Sequence, residues 1–275
     1  MLEPFELPFM QRAALEIALL APLAGILGAQ IVLRRLAFYT HAVGTAAFPG
    51  LVVAGPAGVP AAVAALGTAG LFAPAVKGLS RAGRVGGDAA TAIALVAALA
   101  AGIVLASDVF ESGSEVDQLL FGSLLAIGGT ELAVTAIALA TGLGCAAVWR
   151  RRWLAVGFDS AAAPSLGMAG GGAEMGLLGA VAVAAIAALD AVGALLVAAI
   201  LVVPAATARL VTGSVRSLEL AAGALALAEG LAGLLIAYEL DVPPGAAIAT
   251  LGGAVFAAVA VLRAAASRRV AERPA

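Results

Sequence analysis

Long apolar runs recur along the chain, each ended by a short polar stretch. Nine can be read: Ala13–Leu33, Phe38–Gly55, Val59–Val76, Ala89–Ala106, Leu132–Val148, Met175–Leu189, Ala191–Leu210, Leu218–Tyr238 and Ala246–Leu262. A helix needs about 20 predominantly apolar residues to cross roughly 30 Å of bilayer hydrocarbon, and these runs approach that length. The sixth and seventh run together without a strong breaker. At about 1.5 Å per residue the combined stretch is too long to cross once, so it must turn, with Asp190 at the apex. The pattern predicts an all-α polytopic helical bundle of eight or nine spans, folded as a single transmembrane domain over residues 1–275.

The polar gaps carry an orientation. Arg34 and Arg35 follow the first run, Lys77, Arg81 and Arg84 the third, Arg150, Arg151 and Arg152 the fifth, Arg209 and Arg216 the seventh, and Arg263, Arg268, Arg269 and Arg273 the last. Basic residues collect on the cytoplasmic side, so alternate gaps are expected inside, the N-terminus outside and the C-terminus inside. Arg12 is the exception. The opposite gaps carry Asp108, Glu111, Glu115 and Asp117, and Glu239 with Asp241. The start, Met1-Leu2-Glu3-Pro4-Phe5-Glu6, has no basic segment of the kind that opens a cleaved signal peptide, so the first span is expected to be retained.

Composition agrees with a membrane protein, with 63% hydrophobic residues against 12% charged. The net charge of −2 argues against a nucleic-acid partner. The lone cysteine, Cys145, cannot form an intrachain disulfide and reads as a buried, inert thiol. Two longer connections remain, Ser107–Glu131 outside and Trp149–Glu174 inside, neither long enough for a core of its own. The outer one holds Leu119–Ile127, too short to span and read as a re-entrant or interfacial piece.

No phosphate-cradling loop is present. The only lysine, Lys77, is followed by Gly78 and lies outside any Gly-x4-Gly-Lys-Ser/Thr pattern, so ATP-driven work would need a separate ATPase chain. The run Gly167-Met168-Ala169-Gly170-Gly171-Gly172 follows no strand and reads as a flexible connection. Ionisable groups inside spans are costly and so mark candidate sites. Glu229, in the middle of Leu218–Tyr238, either lines a substrate path or hydrogen-bonds another helix. His41, the only histidine, is either a packing residue or a ligand. Thr45 and the Pro49-Gly50 break on the same stretch favour the latter, because a broken helix frees carbonyl oxygens for a cation. Asp190 is a solvated turn or a ligand at the mouth, as is Asp241. Glu16, near the outer end of the first run, is expected to be solvated. Pro204 is expected to kink or break the seventh run.

Several blocks in order along the chain carry a family resemblance: Leu33-Arg34-Arg35-Leu36-Ala37, Ala47-Phe48-Pro49-Gly50, Leu120-Phe121-Gly122-Ser123, Phe158-Asp159 with Leu166-Gly167, Val192-Gly193-Ala194-Leu195-Leu196 leading to Pro204-Ala205-Ala206-Thr207-Ala208-Arg209, and Leu240-Asp241-Val242-Pro243-Pro244-Gly245. Together they resemble the integral-membrane permease of zinc-, manganese- and iron-type ABC importers. That resemblance implies a permease homodimer in membrane lipid, a cytoplasmic ATP-binding subunit that uses the ATP, an extracytoplasmic metal-binding protein, and a divalent metal as transported substrate. It also implies that Phe158, Asp159, Leu166 and Gly167 dock on the ATPase, and that the chain is not itself an enzyme. Where the family carries an Asp and, four residues later, a His, this chain has His41 and Thr45. Imidazole suits zinc, iron or manganese, whereas a threonine hydroxyl is a weak ligand, so either a carboxylate from another helix such as Glu229 completes the site or the substrate differs from the usual ions. The contrasting readings are a stand-alone ion-coupled transporter using Glu229, and a membrane scaffold without substrate.

The charge pattern makes a direct prediction. A reporter fused after Arg152 should read cytoplasmic and one inserted near Glu115 external, and opposite signals would reverse the orientation.

Overall fold

In the computed structural model the chain is described over residues 3–109, 127–159, 161–168, 170–189, 193 and 197–271. Its helices are α1 (Pro8–Leu33), α2 (Ala37–Ala46), α3 (Phe48–Ala57), α4 (Ala61–Gly83), α5 (Gly87–Val104), α6 (Gly129–Phe158), α7 (Gly171–Ala187), α8 (Val197–Val211), α9 (Val215–Leu240) and α10 (Pro244–Ala271). No strand occurs among the described residues. Among the described residues, counting α2 and α3 as one, seven helical segments are long and apolar enough to cross a membrane, and α7 and α8 are shorter apolar helices. The all-α polytopic bundle expected from the apolar runs is therefore present. Asp190 and the segment Leu119–126 lie outside the described residues, as do Leu120, Phe121, Gly122 and Ser123.

The helices overrun the apolar runs where charged residues follow. α6 continues through Arg150, Arg151 and Arg152 to Phe158, and α7 begins at Gly171, so the inner connection shrinks to residues 159–170. Charge marks where hydrocarbon ends, whereas arginine is a good helix former and does not stop the helix. The glycines at 171 and 172 form the first turn of α7 rather than a flexible link.

α1 is the central helix. It packs on α9, α8, α6 and α7, with a narrower contact on α2. Two-thirds of its apolar window is buried, as is that of α2–α3, against 17–39% for the other five long segments. A second group, α2 to α5, joins this centre through α2, which touches α8 and α7, and through α4, which touches α7. Water drives no helix association inside lipid, so close van der Waals packing through small residues must hold such a bundle. α1 shows how. A Cβ at Gly25 would stand 2.6 Å from the Glu219 carbonyl oxygen on α9, and one at Gly28 would run into the Leu201 carbonyl on α8.

The expected break at Pro49-Gly50 falls slightly earlier. α2 stops at Ala46 and α3 restarts at Phe48, with Pro49 in its first turn, where the missing N–H is tolerated. The Ala47 N–H bonds the Gly44 carbonyl at 3.2 Å. Gly50 serves packing, since a side chain there would strike the Ala64 carbonyl of α4. At Pro204, where a kink or a break is expected, α8 runs through without a break. Pro204 is buried in a helix packed on α1, α9 and α10, and these neighbours hold the helix across the hydrogen bond the proline forgoes.

The glycine contacts predict a sharp asymmetry. Gly28→Leu should lower the stability of the purified protein by about 3 kcal/mol or more, because overpacking here meets backbone rather than a movable side chain. Gly179→Ala, with nothing within 4 Å of its added methyl, should unfold at the wild-type temperature or above it. Thermal unfolding in detergent measures both.

Candidate substrate path and connecting segment

His41 sits in the second turn of α2 and is half-buried, while Thr45, one turn on, is fully buried. The i, i+4 spacing puts them on one face, but the Thr45 hydroxyl is used locally, donating to the His41 carbonyl at 3.1 Å. Glu229 is only 5% exposed, at the middle of α9. Its room comes from α10: a Cβ at Gly252 would stand 3.1 Å from Glu229 Oε2 and 3.3 Å from Val203 of α8. Among the described residues Oε1 finds no hydrogen-bond partner, so no interhelical bond there accounts for that oxygen's burial.

The two candidate ligands stand on helices that share no extensive contact. α2 packs on α4, α5, α7 and α8 and more narrowly on α1, whereas α9 packs on α1, α8 and α10, so α8 and α1 are the neighbours they share. Among the described residues no three His, Cys, Asp or Glu side chains gather where they could hold one ion. Asp241 is exposed at the C-terminal end of α9, in a left-handed conformation with φ +52°. A carboxylate there faces solvent at the end of the span.

Glu16 departs from expectation. It is 1% exposed, and Thr135 on α6 donates its hydroxyl to Glu16 Oε1 at 2.5 Å, with the Ala187 carbonyl of α7 a further 3.4 Å from the same hydroxyl. The apolar run begins at Ala13, but the helix begins at Pro8, which puts Glu16 more than two turns inside α1. A signal was present: Leu20 and Ala24 follow at i+4 and i+8, the face that a buried helix turns inward.

Sequence reasoning also missed two polar ties at the basic ends of the helices. Arg150 on α6 makes a two-point bond to Glu219 on α9, from Nε to Oε1 at 3.2 Å and from Nη2 to Oε2 at 2.6 Å. The Trp153 indole N–H, fully buried, donates to the Ala173 carbonyl at 2.7 Å and so clamps the end of α6 to the start of α7. Between these clamped ends the connection is ordered by Asp159, whose Oδ1 accepts from the Ala161 and Ala162 N–H groups at 2.9 and 2.8 Å. Ala163 is buried, Gly167 has φ +65°, and the large apolar side chains Phe158 and Leu166 are 71% and 68% exposed. An apolar pair held outward on a braced turn is chemistry suited to another protein surface.

Long apolar helices around a buried central helix, with intramembrane carboxyl groups and a braced connection at the basic end, define a multi-pass membrane protein of the transport-permease class. The chain belongs to the ABC 3 transport family, which residues 6–263 match. It is 31% identical to the manganese transport system membrane protein MntC of Halalkalibacterium halodurans, over 90% of this chain and 85% of that protein. It is 30% identical to the chelated iron transport system membrane protein YfeD of Yersinia pestis, over 94% of this chain and 87% of that protein. Among solved structures it is similar to PsaBC from Streptococcus pneumoniae in complex with Fab, with a TM-score of 0.86, 25% identity, and coverage of 94% of this chain and 95% of that one.

Proposed function

We propose that this protein is the permease of an ATP-driven importer for a divalent transition-metal ion, manganese, iron or zinc. The observation that carries the proposal is similarity over nine-tenths of the chain to membrane proteins named for manganese and iron transport. A homodimer of this chain would enclose the path, a binding protein would deliver the ion from outside, and a cytoplasmic ATPase pair would drive alternating access. The braced segment from Phe158 to Gly167 supports this reading: Trp153 and Asp159 stiffen it, so movement of a docked ATPase would pass into α6 and α7 rather than be lost in a slack loop.

An ion crossing hydrocarbon needs nitrogen or oxygen ligands in place of water. His41 and Glu229 supply them at two separate stations, the imidazole on α2 and the carboxylate at the seam of α8, α9 and α10. Asp241, and Asp190 in the segment before α8, would stand at the outer mouth.

His41→Ala and Glu229→Gln should each cut uptake of labelled manganese or iron by at least about tenfold while expression and ATPase binding persist, which radiotracer uptake and co-purification measure. Wild-type transport by both variants would make the two residues structural. Uptake that continues without any ATPase would favour the ion-coupled transporter instead, a reading supported by the unbonded buried oxygen of Glu229.

The connecting segment yields a separate expectation. Asp159→Lys should remove the two bonds that order the turn, leave the permease in the membrane, and weaken co-purification with the ATPase several-fold. Normal association and normal substrate-stimulated ATP hydrolysis would exclude the docking role.

A further inference from the structure

The seam between α1 and α9 carries an open furrow of about 650 Å³ that takes no part in the proposed ion path. Its floor is made of small residues, Ala21 and Gly25 on α1 against Gly223 on α9, which pack closely together. Its walls are apolar, with Ala18, Pro22 and Ile26 on α1 and Leu220, Ala224 and Leu227 on α9. One end alone is polar, where Arg150, Arg216 and Glu219 form the mouth. Glu219 is already held by Arg150 at two points, and Arg216 is exposed and has no ion pair among the described residues, which leaves one uncompensated cation at the mouth.

The dimensions select an occupant. From Arg216 to Leu227 the furrow follows eleven residues of α9, about 16 Å at roughly 1.5 Å per residue. One leaflet contributes about half of the roughly 30 Å hydrocarbon thickness, so the furrow runs from one membrane surface to the midplane. Spread over that length, its volume corresponds to a narrow groove of about 40 Å² in cross-section. A neighbouring helix could only cover such an open groove, whereas an extended hydrocarbon chain can lie within it.

We propose that this furrow is a binding site for an anionic phospholipid of the leaflet on the arginine side, with one acyl chain laid between α1 and α9 and the phosphate on Arg216, assisted by Arg150. The lipid would fill the groove that the glycine seam leaves open. A headgroup with a single net negative charge matches the single unpaired cation, whereas a zwitterionic headgroup brings its own cation to the same place.

Native mass spectrometry of the full-length protein in mild detergent, supplied with phosphatidylglycerol or phosphatidylcholine of the same chain length, tests the site. Phosphatidylglycerol should be retained at one molecule per chain and about fivefold better than phosphatidylcholine, and Arg216→Gln should remove most of that preference. Leu220→Trp, at an exposed wall position, should reduce retention of both lipids by blocking the acyl chain. Equal retention of the two lipids, an Arg216→Gln variant indistinguishable from wild type, or undiminished retention after Leu220→Trp would each overturn the proposal. Displacement of the lipid by millimolar inorganic phosphate would reduce the site to an anion site at the mouth and overturn it likewise. So would efficient disulfide cross-linking between two copies carrying Leu227→Cys and Cys145→Ser in native membranes, because the furrow would then be covered by protein.

Discussion

The bundle depends on the close backbone approach of α1 to α8 and α9. In lipid the exchange of one apolar contact for another gains little, so helices associate only where their surfaces come close enough for dispersion forces to accumulate. Gly25 and Gly28 permit that on two adjoining faces of one helix, against the Glu219 and Leu201 carbonyls. Because α8 and α9 are fixed to α1 in this way, α10 is placed against both, and α2 is placed against α8. The furrow between α1 and α9 follows from the same cause, since residues small enough to bring two backbones together leave empty space beside the seam.

Against this apolar framework the two buried carboxyl groups differ. Glu16 is tied by Thr135 between α1 and α6, an arrangement that orients helices and compensates part of the cost of burial. Glu229 has a buried oxygen without a hydrogen bond and lies in the space opened by Gly252 where three helices meet. Burying such a group without a partner costs stability, and a membrane protein that bears that cost for a carboxyl in mid-span is consistent with a group reserved for a passing ion or proton.

The basic ends of the helices are organised by polar bonds rather than by glycine packing. Arg150 with Glu219 ties α6 to α9, and Trp153 with the Ala173 carbonyl ties α6 to α7. Near the membrane surface such bonds gain strength from partial exclusion of water while the charged groups still reach solvent. α6 is therefore held at its end to two neighbours, one of which leads into the proposed docking segment and the other along the wall of the furrow.

The sequence by itself determined the class of the protein, the number of apolar runs and their order, because hydropathy is a property of each segment alone and needs no partner to be read. Family-like blocks such as Phe158-Asp159 and Leu166-Gly167 were legible for the same reason, being local patterns. Helix ends were less so: the three arginines after the fifth run mark a membrane edge, and α6 continues well past them. What only the tertiary structure decided was which residues face one another. Nothing local separates Gly25 and Gly28 from the many other glycines, places Glu16 beside Thr135 across more than a hundred residues, keeps α8 continuous through Pro204, or packs Gly252 of α10 against Glu229. Each of these depends on two or more helices at once, and pairing between distant segments leaves no trace in the periodicity of either.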